Sequence, residues 1–112
     1  MSELEQLRES ILQFRDQRNW QQFHNPKDLA LSLSLEASEL LELFQWKTSE
    51  EAVEKNLDKM EEELADVLIY AILFANETDL DLVKIIDNKL KKNNEKYPIE
   101  KFTGKNTKYN EI

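Results

Sequence analysis

Two pairs of acidic residues are spaced so that each pair could bind a metal ion from one side of a helix. Glu36 and Glu39 form the first pair, and Glu63 and Asp66 form the second, with 23 residues between the two pairs. Residues three apart lie on the same side of an α-helix, about one turn from each other. Carboxylates projected from two facing helices would make a site lined by oxygen atoms, which hard cations such as Mg²⁺ prefer. The spacing therefore predicts a magnesium site that acts on a phosphate substrate.

The apolar neighbours of these acids distinguish them from ordinary surface charge. On a helical wheel, the neighbours of Glu36 are Leu29, Leu33, Leu40 and Leu43, and those of Glu63 are Val67, Tyr70 and Phe74. The alternative is that both pairs belong to solvated helix faces, since 34% of the residues are charged. Glu61 and Glu62 fit that description, because they fall outside the apolar arcs. A buried carboxylate is costly unless it is paired or bound to metal, so two pairs among apolar residues favour a metal site.

The types of ligand narrow the choice of metal. The chain has no cysteine and a single histidine, His24, which excludes thiolate sites and multi-histidine sites within one chain. It also lacks the Glu-x-x-His motif that carboxylate bundles use to bind pairs of iron or manganese ions. Ligation by oxygen alone suits Mg²⁺, with Mn²⁺ able to substitute and Ca²⁺ less suited. Because four carboxylates would repel a polyphosphate, we expect two or more Mg²⁺ ions per site once the substrate is bound.

The composition indicates one all-α domain. The 112 residues include one glycine and two prolines, so few tight turns are provided for. The net charge of -8 argues against unselective binding of nucleic acid, which needs a basic surface. No apolar stretch is long enough to span a bilayer, and the N-terminus is charged rather than signal-like. We expect a cytoplasmic protein that binds neither nucleic acid nor a membrane.

Hydrophobic periodicity and cap signals predict the elements that carry these residues. The predicted helices run from about Ser2 to Asn19, from Pro26 to Trp46, from Thr48 to Asn76 and from Leu80 to Lys96. Asn25 is the predicted cap of the second helix, Thr48 with Glu51 forms a capping box for the third, and Thr78 or Asp79 is expected to cap the fourth. The helical domain is predicted over residues 1–98, followed by a polar tail at residues 99–112.

The second and third helices are apolar almost all the way round. Two short neighbouring helices in a small chain cannot cover them both. We therefore expect a four- to five-helix bundle completed by dimerisation, as a homodimer or a dimer of dimers.

Aromatic and basic residues lie near the ends of the acidic helices. Trp20, Phe23, His24, Trp46 and Tyr70 could supply planar surfaces and a polar tip for a nucleobase, although core packing is the alternative for each. Lys47 follows Trp46, and Lys89 precedes Asn93 by one turn on the last helix. A lysine can stabilise the charge of a polyphosphate, although lysines near a helix C-terminus are commonly only solvated.

Three segments resemble the MazG-like superfamily of all-α nucleoside triphosphate pyrophosphohydrolases, and its dCTP pyrophosphatase branch in particular. They are NWQQFH at residues 19–24, EASELLELFQWK at residues 36–47 and EELADVLIY at residues 62–70. Tyr97 and Pro98, after a basic helix that contains asparagine, also fit, so the similarity runs from about residue 14 to residue 98. One departure is that Asn94 and Glu95 interrupt the basic stretch before Tyr97.

The resemblance implies a Mg²⁺-dependent cleavage between the α and β phosphates of a nucleotide such as dCTP or a modified dCTP, giving a monophosphate and pyrophosphate. It assigns the metals to Glu36, Glu39, Glu63 and Asp66, the base and sugar pocket to Trp20, His24, Trp46 and Tyr70, and the phosphate contacts to Lys89 and Asn93. Lys47 is a further candidate for substrate binding. Glu39 is the preferred residue for positioning or deprotonating the attacking water, with Glu36 and Glu63 as the other catalytic candidates.

Two other functions remain open at this stage. The same fold could act on another nucleotide, as a phosphoribosyl-ATP pyrophosphohydrolase or a house-cleaning enzyme for damaged nucleotides. The chain could also be a non-enzymatic helical dimerisation module. Such a module explains the leucines but gives no reason to place Glu36 in an apolar arc.

Overall fold

The computed structural model describes residues 1–104, which fold into helices joined by short connections, with no strand in that part of the chain. The helices are α1 (Glu3–Gln17), α2 (Pro26–Glu42), α3 (Ser49–Glu77), α4 (Leu82–Lys96) and α5 (Ile99–Phe102), and a 3₁₀ turn (Gln21–Phe23) lies between α1 and α2. The prediction of an all-α fold is confirmed. Of the helices described, none has the length and apolar content needed to cross a membrane.

The chain divides into two compact units, Met1–Asp79 and Leu80–Ile112. The first unit carries α1, α2 and α3, and the second carries α4 and α5. Helix α5 occupies the start of the predicted polar tail, whose residues 105–112 lie outside the described residues. The division into a domain at 1–98 and a tail at 99–112 stays a prediction.

Local hydrogen bonds explain where α2 and α3 begin. The side chain of Asn25 accepts a bond of 2.9 Å from the backbone N–H of Asp28, and Pro26 occupies the first turn of α2. The side chain of Thr48 accepts a bond of 3.2 Å from the backbone N–H of Glu51, which is one half of the predicted capping box. These bonds satisfy backbone donors that have no partner inside the helix, which is why both starts were readable from sequence.

Helix α2 ends earlier than the sequence predicts. It stops at Glu42, and residues 43–46 form turns instead of the helix predicted to continue to Trp46. Trp46 itself has a φ of 62°, a left-handed conformation that no helix tolerates. The prediction failed because the apolar pattern continues through Leu43 and Phe44 although the backbone has already turned.

Helix α2 packs along α3, and α1 also packs against α3. The buried apolar residues are Leu29, Ala52, Met60, Ile72, Leu73 and Ala75. A stripe of large apolar side chains on α3 remains exposed in the single chain, namely Val53, Leu57, Leu64 and Leu68. Their spacing of four and seven residues keeps them on one side of the helix. The core of the single chain therefore leaves one side of α3 uncovered.

The predicted cap of α4 was wrong. Neither Thr78 nor Asp79 caps this helix; Asp81 does, by accepting a bond of 3.1 Å from the backbone N–H of Lys84. The hydroxyl of Thr78 instead donates to the carbonyl of Phe74 at the end of α3, at 2.8 Å. Asp79 takes a φ of 56°, which ends α3 and delays the start of α4 by two residues.

Replacing Asp81 tests this cap. We expect Asp81→Ala to lower the free energy of unfolding by about 1 kcal/mol, because a backbone donor of α4 loses its partner. Asp81→Asn keeps a side-chain oxygen in the same place and should retain most of the stability. Urea unfolding followed by circular dichroism measures both. Equal losses in the two variants would mean that the charge of Asp81, rather than its hydrogen bond, stabilises the helix.

Candidate functional site

The packing of α2 on α3 brings carboxylates from both helices together. Glu36 and Glu39 on α2 and Glu63 on α3 each offer one oxygen, and these three oxygens lie within 4.8 Å of one another. Asp66 lies outside that group, but its negative charge acts on both Glu36 and Glu63. The structure thus gathers the two predicted pairs around one point, with Asp66 at its margin.

Crowding of these acids shifts their protonation. The pKa of Glu36 is raised to about 7, first by burial, then by a hydrogen bond with Glu39 and by the negative charges of Glu39, Asp66 and Glu63. The pKa of Glu63 is also raised, first by a hydrogen bond with Glu39 and then by burial and neighbouring charge. A protonated carboxyl can donate to Glu39, whereas an ionised one would repel it. Without a cation, Glu36 therefore holds a proton up to about pH 7, and Glu63 is protonated more readily than an isolated glutamate.

Two of the carboxylate oxygens are buried without a partner, and this tests whether a metal fits. Oε2 of Glu36 and Oε2 of Glu63 accept no hydrogen bond from the described residues. A carboxylate oxygen that stays buried and unpaired has lost its hydration without gaining a partner, which costs free energy. A divalent cation between the two helices would supply a partner to both oxygens and would cancel their repulsion. A solvated helix face would show no such oxygens, so these residues fit a hard divalent cation.

Trp20 is the first of the predicted pocket residues, and it lies in the turn after α1. Trp20 is about half exposed and meets the ring of Phe14 edge to face, with ring centroids 5.7 Å apart. The guanidinium of Arg18 lies 3.7 Å from the centroid of the Phe14 ring. These contacts hold Phe14, Arg18 and Trp20 as a stacked group at the surface of the first unit.

His24 lies just beyond that group and is half-buried. Its Nδ1 is buried and has no hydrogen-bond partner among the described residues. Burial lowers the pKa of the imidazole, and the positive charge of Arg15 lowers it further, against an opposing effect of Glu77. The ring is therefore neutral at pH 7, with one nitrogen able to donate and the other able to accept.

The remaining predicted contacts occupy different places in the chain. The side chain of Trp46 is 98% exposed, which excludes core packing of this residue within the single chain. Lys47 is exposed beside it, and Tyr70 is half-buried on α3, two turns after Glu63. Lys89 and Asn93 lie on α4 in the second unit. The roles assigned to these five residues stay predictions.

Sequence reasoning missed one buried cation. Arg15 on α1 is 6% exposed, and its guanidinium pairs with Asp16 at 2.8 Å. It is also the charge that acts on His24. A signal was present, because Arg15 follows Ile11 by four residues and so falls on the apolar stripe of α1.

Comparison with known proteins gives the family. The sequence profile of the MazG-like family matches residues 31–112, which is more than half of the chain. The chain belongs to the MazG-like family. This match includes both acidic pairs, α2 from residue 31 onward and the whole of α3.

Individual MazG-like relatives agree with this assignment. The chain is 37% identical to dCTP pyrophosphatase 1 of Rattus norvegicus and 38% identical to that of Homo sapiens, over 97% of this chain and 67% of each relative. It is also similar to the crystal structure of a pyrophosphatase from Archaeoglobus fulgidus, with a TM-score of 0.83 and 39% identity. That comparison covers 88% of this chain and 94% of the other. The predicted MazG-like fold is confirmed.

The raised pKa of Glu36 predicts how stability depends on pH. Glu36 titrates near pH 7 in the folded chain and close to its usual, lower value when unfolded. Its contribution is fully present below the unfolded pKa and is lost as the pH rises through about 7. In chelator, we therefore expect the melting temperature of the wild type to fall between pH 5.5 and pH 8. The melting temperature of Glu36→Gln should fall by about 5 °C less over the same range, which is equivalent to about 1 kcal/mol.

Glu61→Gln is the matched control for this measurement, because Glu61 is exposed on α3 and outside the cluster. It should follow the wild-type pH dependence in a thermal unfolding series. Parallel pH profiles for the wild type and Glu36→Gln would contradict a carboxyl that titrates near neutrality.

Proposed function

We propose that this MazG-like chain is a nucleoside triphosphate pyrophosphohydrolase that acts on dCTP or a modified dCTP. It would cleave the bond between the α and β phosphates and release the monophosphate and pyrophosphate. The observation that carries the proposal is the set of carboxylate oxygens from Glu36, Glu39 and Glu63 within 4.8 Å of one another. The dCTP pyrophosphatases among its relatives support the choice of substrate.

Mg²⁺ is the proposed cofactor, with Mn²⁺ able to substitute. Glu36, Glu39, Glu63 and Asp66 would hold it, and we expect two or more ions once the phosphates are bound. Bound there, Mg²⁺ would neutralise phosphate charge and lower the pKa of an attacking water. The support lies in the unpartnered buried oxygens of Glu36 and Glu63 and in a donor set made of oxygen alone.

Glu39 is our candidate for the residue that positions or deprotonates the water. One of its oxygens lies within 4.8 Å of oxygens of both Glu36 and Glu63, so it stands between the carboxyls of the two helices. It is also exposed, whereas Glu36 and Glu63 are half-buried. An exposed carboxylate beside the cation site can reach an attacking water from solvent, which a general base requires.

The base and sugar would be recognised by aromatic and polar groups from the first unit. Trp20 and Trp46 are exposed enough to stack on a base, and Tyr70 is the third aromatic assigned to the pocket. Neutral His24 can both donate and accept, which suits the polar edge of a pyrimidine. Lys47, Lys89 and Asn93 are the proposed phosphate contacts. A cytoplasmic location is part of the proposal, and the net charge of -8 opposes unselective binding of nucleic acid.

A second copy of the chain is the proposed cover for the exposed stripe of α3. Val53, Leu57, Leu64 and Leu68 would be buried in a homodimer or a dimer of dimers. A run of large apolar side chains on one side of a long helix is costly in water and typical of an interface between subunits. We infer that the bundle is completed in this way.

Pyrophosphate release from a panel of nucleotides tests the proposed activity. We expect Mg²⁺-dependent turnover that is strongest on dCTP or a modified dCTP, with loss of activity in chelator. Glu63→Gln should lower kcat/KM by at least about 100-fold, because a metal ligand becomes a neutral amide. The exposed Glu61→Gln should retain wild-type turnover.

The outcome on the panel also separates the alternatives. Stronger turnover on phosphoribosyl-ATP or a damaged nucleotide would keep the site and change the substrate. No turnover on any nucleotide, with no thermal shift on adding Mg²⁺, would favour the dimerisation module.

Glu39→Gln tests the role of that residue within the same assay. It should bind Mg²⁺, seen as a thermal shift, yet lose about 100-fold or more in kcat, because the water is no longer deprotonated or held. Near-normal turnover with Mg²⁺ bound would assign the water to another group.

Leu68→Glu tests the proposed subunit interface. Placing a charge on the apolar stripe should lower the oligomeric state, measured as the molar mass by light scattering after gel filtration. Lys55→Gln makes the same change of net charge at an exposed position on the opposite side of α3 and should keep the wild-type mass. A wild-type chain that is monomeric at micromolar concentration would rule out the second copy.

A further inference from the structure

Asn56 interrupts α3 and ties it to the end of α2. Its φ and ψ of -122° and 18° lie outside the helical region, although the helix continues on both sides. The side-chain Nδ2 of Asn56 donates a half-buried hydrogen bond of 3.2 Å to the backbone carbonyl of Leu43, the residue that closes α2. Carbonyls in the last turn of a helix lack partners within it, so this bond satisfies one of them from the neighbouring helix. The kink thus coincides with a polar link between the two helices.

The position of this link matches the position of the carboxylate cluster. Leu43 follows Glu36 by seven residues, and Asn56 precedes Glu63 by seven residues. Glu36 meets Glu63 and Leu43 meets Asn56, so the two helices run antiparallel in one register. Seven residues are about two helical turns, or about 10 Å, and they return close to the same face. The Asn56 link and the carboxylate cluster are therefore two contacts along one seam.

The apolar side chains of α2 specify this register weakly. Of the four leucines at residues 29, 31, 33 and 35, Leu29 is almost fully buried, whereas Leu31 and Leu35 are more than half exposed, so few apolar side chains of α2 fix its position along α3. A slip by one turn would move Glu36 by about 5.4 Å. The cluster oxygens lie within 4.8 Å of one another, so such a slip would separate them. A buried side-chain amide is directional, and one amide at a helix seam can fix the register that apolar contacts leave open.

We propose that Asn56 is a positioning residue that sets the register of α2 on α3 so that Glu36, Glu39 and Glu63 converge on a cation. The inference rests on the proposed cation site and extends it to a residue two turns away that provides no ligand. The proposed role of Asn56 is to set the geometry of the carboxylate cluster, which is a separate effect from any contribution of Asn56 to the stability of the chain.

Mn²⁺ affinity of the folded chain, measured without nucleotide, separates these two effects. We use Asn56→Ala, which removes the amide, and Asn56→Asp, which keeps its shape but lacks its donor at neutral pH. Both should bind Mn²⁺ about tenfold more weakly than the wild type. A loss of this size is typical when a group that orients a metal ligand is removed. The negative charge of Asn56→Asp would by itself strengthen cation binding, so weaker binding cannot come from charge.

Asn88→Ala is the matched control, since Asn88 is exposed on α4 and makes the same change of side chain. It should keep the wild-type affinity. Asn56→Gln retains an amide that is one methylene longer and should recover part of the affinity. Should Asn56→Ala fail to fold, the Asp and Gln variants give the same comparison. Mn²⁺ binding is read by electron paramagnetic resonance of the free ion and by calorimetry, with urea unfolding in chelator reporting stability.

Each result decides between the two proposals. Wild-type Mn²⁺ affinity in Asn56→Ala and Asn56→Asp, even with lower stability, would overturn the positioning role and leave the cation site intact. A wild-type chain that binds no Mn²⁺ would overturn the cation site and the positioning role together. Weaker binding in both variants, with recovery in Asn56→Gln, would support the assignment.

Discussion

The close approach of carboxylates across the packing of α2 on α3 is the constraint on which the structure depends. Oxygens of Glu36, Glu39 and Glu63 lie within 4.8 Å of one another, and Glu36 and Glu63 each have an oxygen that is buried without a partner among the described residues. Acids placed in this way repel one another and lose hydration, so they need protons or a cation to coexist. The helices around them must be rigid enough to withstand this repulsion. Leu29 and Ala52, both almost fully buried, provide part of that support.

The same constraint connects the fold with the proposed chemistry. The ionised cluster is unfavourable without a cation, so binding of a cation lowers its free energy strongly. The chain therefore loses folding stability at this site and gains affinity for the cation. The long helix α3 presents Glu63 to α2 and also carries the apolar stripe that stays exposed in the single chain. Asn56 completes the arrangement by linking α3 to the end of α2 without providing a ligand.

The features that were predictable from sequence are those set by a few neighbouring residues. The caps at Asn25 and Thr48 depend on a side chain and a backbone N–H three residues away, so the sequence contains both partners. The acidic pairs were recognisable because Glu36 and Glu63 interrupt apolar arcs, where a charge without a function would be selected against on energetic grounds. Their convergence followed from the requirement that two apolar helices pack together.

The features that were not predicted are of two kinds. Some depend on contacts between residues distant in sequence, and others depend on backbone conformations that several residue types can adopt. Asp79 and Asp81 are both good caps by type, and only the left-handed φ of Asp79 shows that α3 must end first. Trp46 adopts a left-handed φ without being glycine, so no residue type signals the end of α2. Asn56 lies inside a strong helical pattern, and its partner is 13 residues away.

Anomalous diffraction from crystals grown with Mn²⁺ tests whether the carboxylate cluster binds a divalent cation, because it locates the ion without relying on turnover. We predict Mn²⁺ between α2 and α3, ligated by oxygens of Glu36, Glu39 and Glu63. The anomalous peak of the ion should be lost in Glu63→Gln. A structure at saturating Mn²⁺ in which these carboxyls remain hydrogen-bonded to one another, with the ion absent or bound elsewhere, would contradict it.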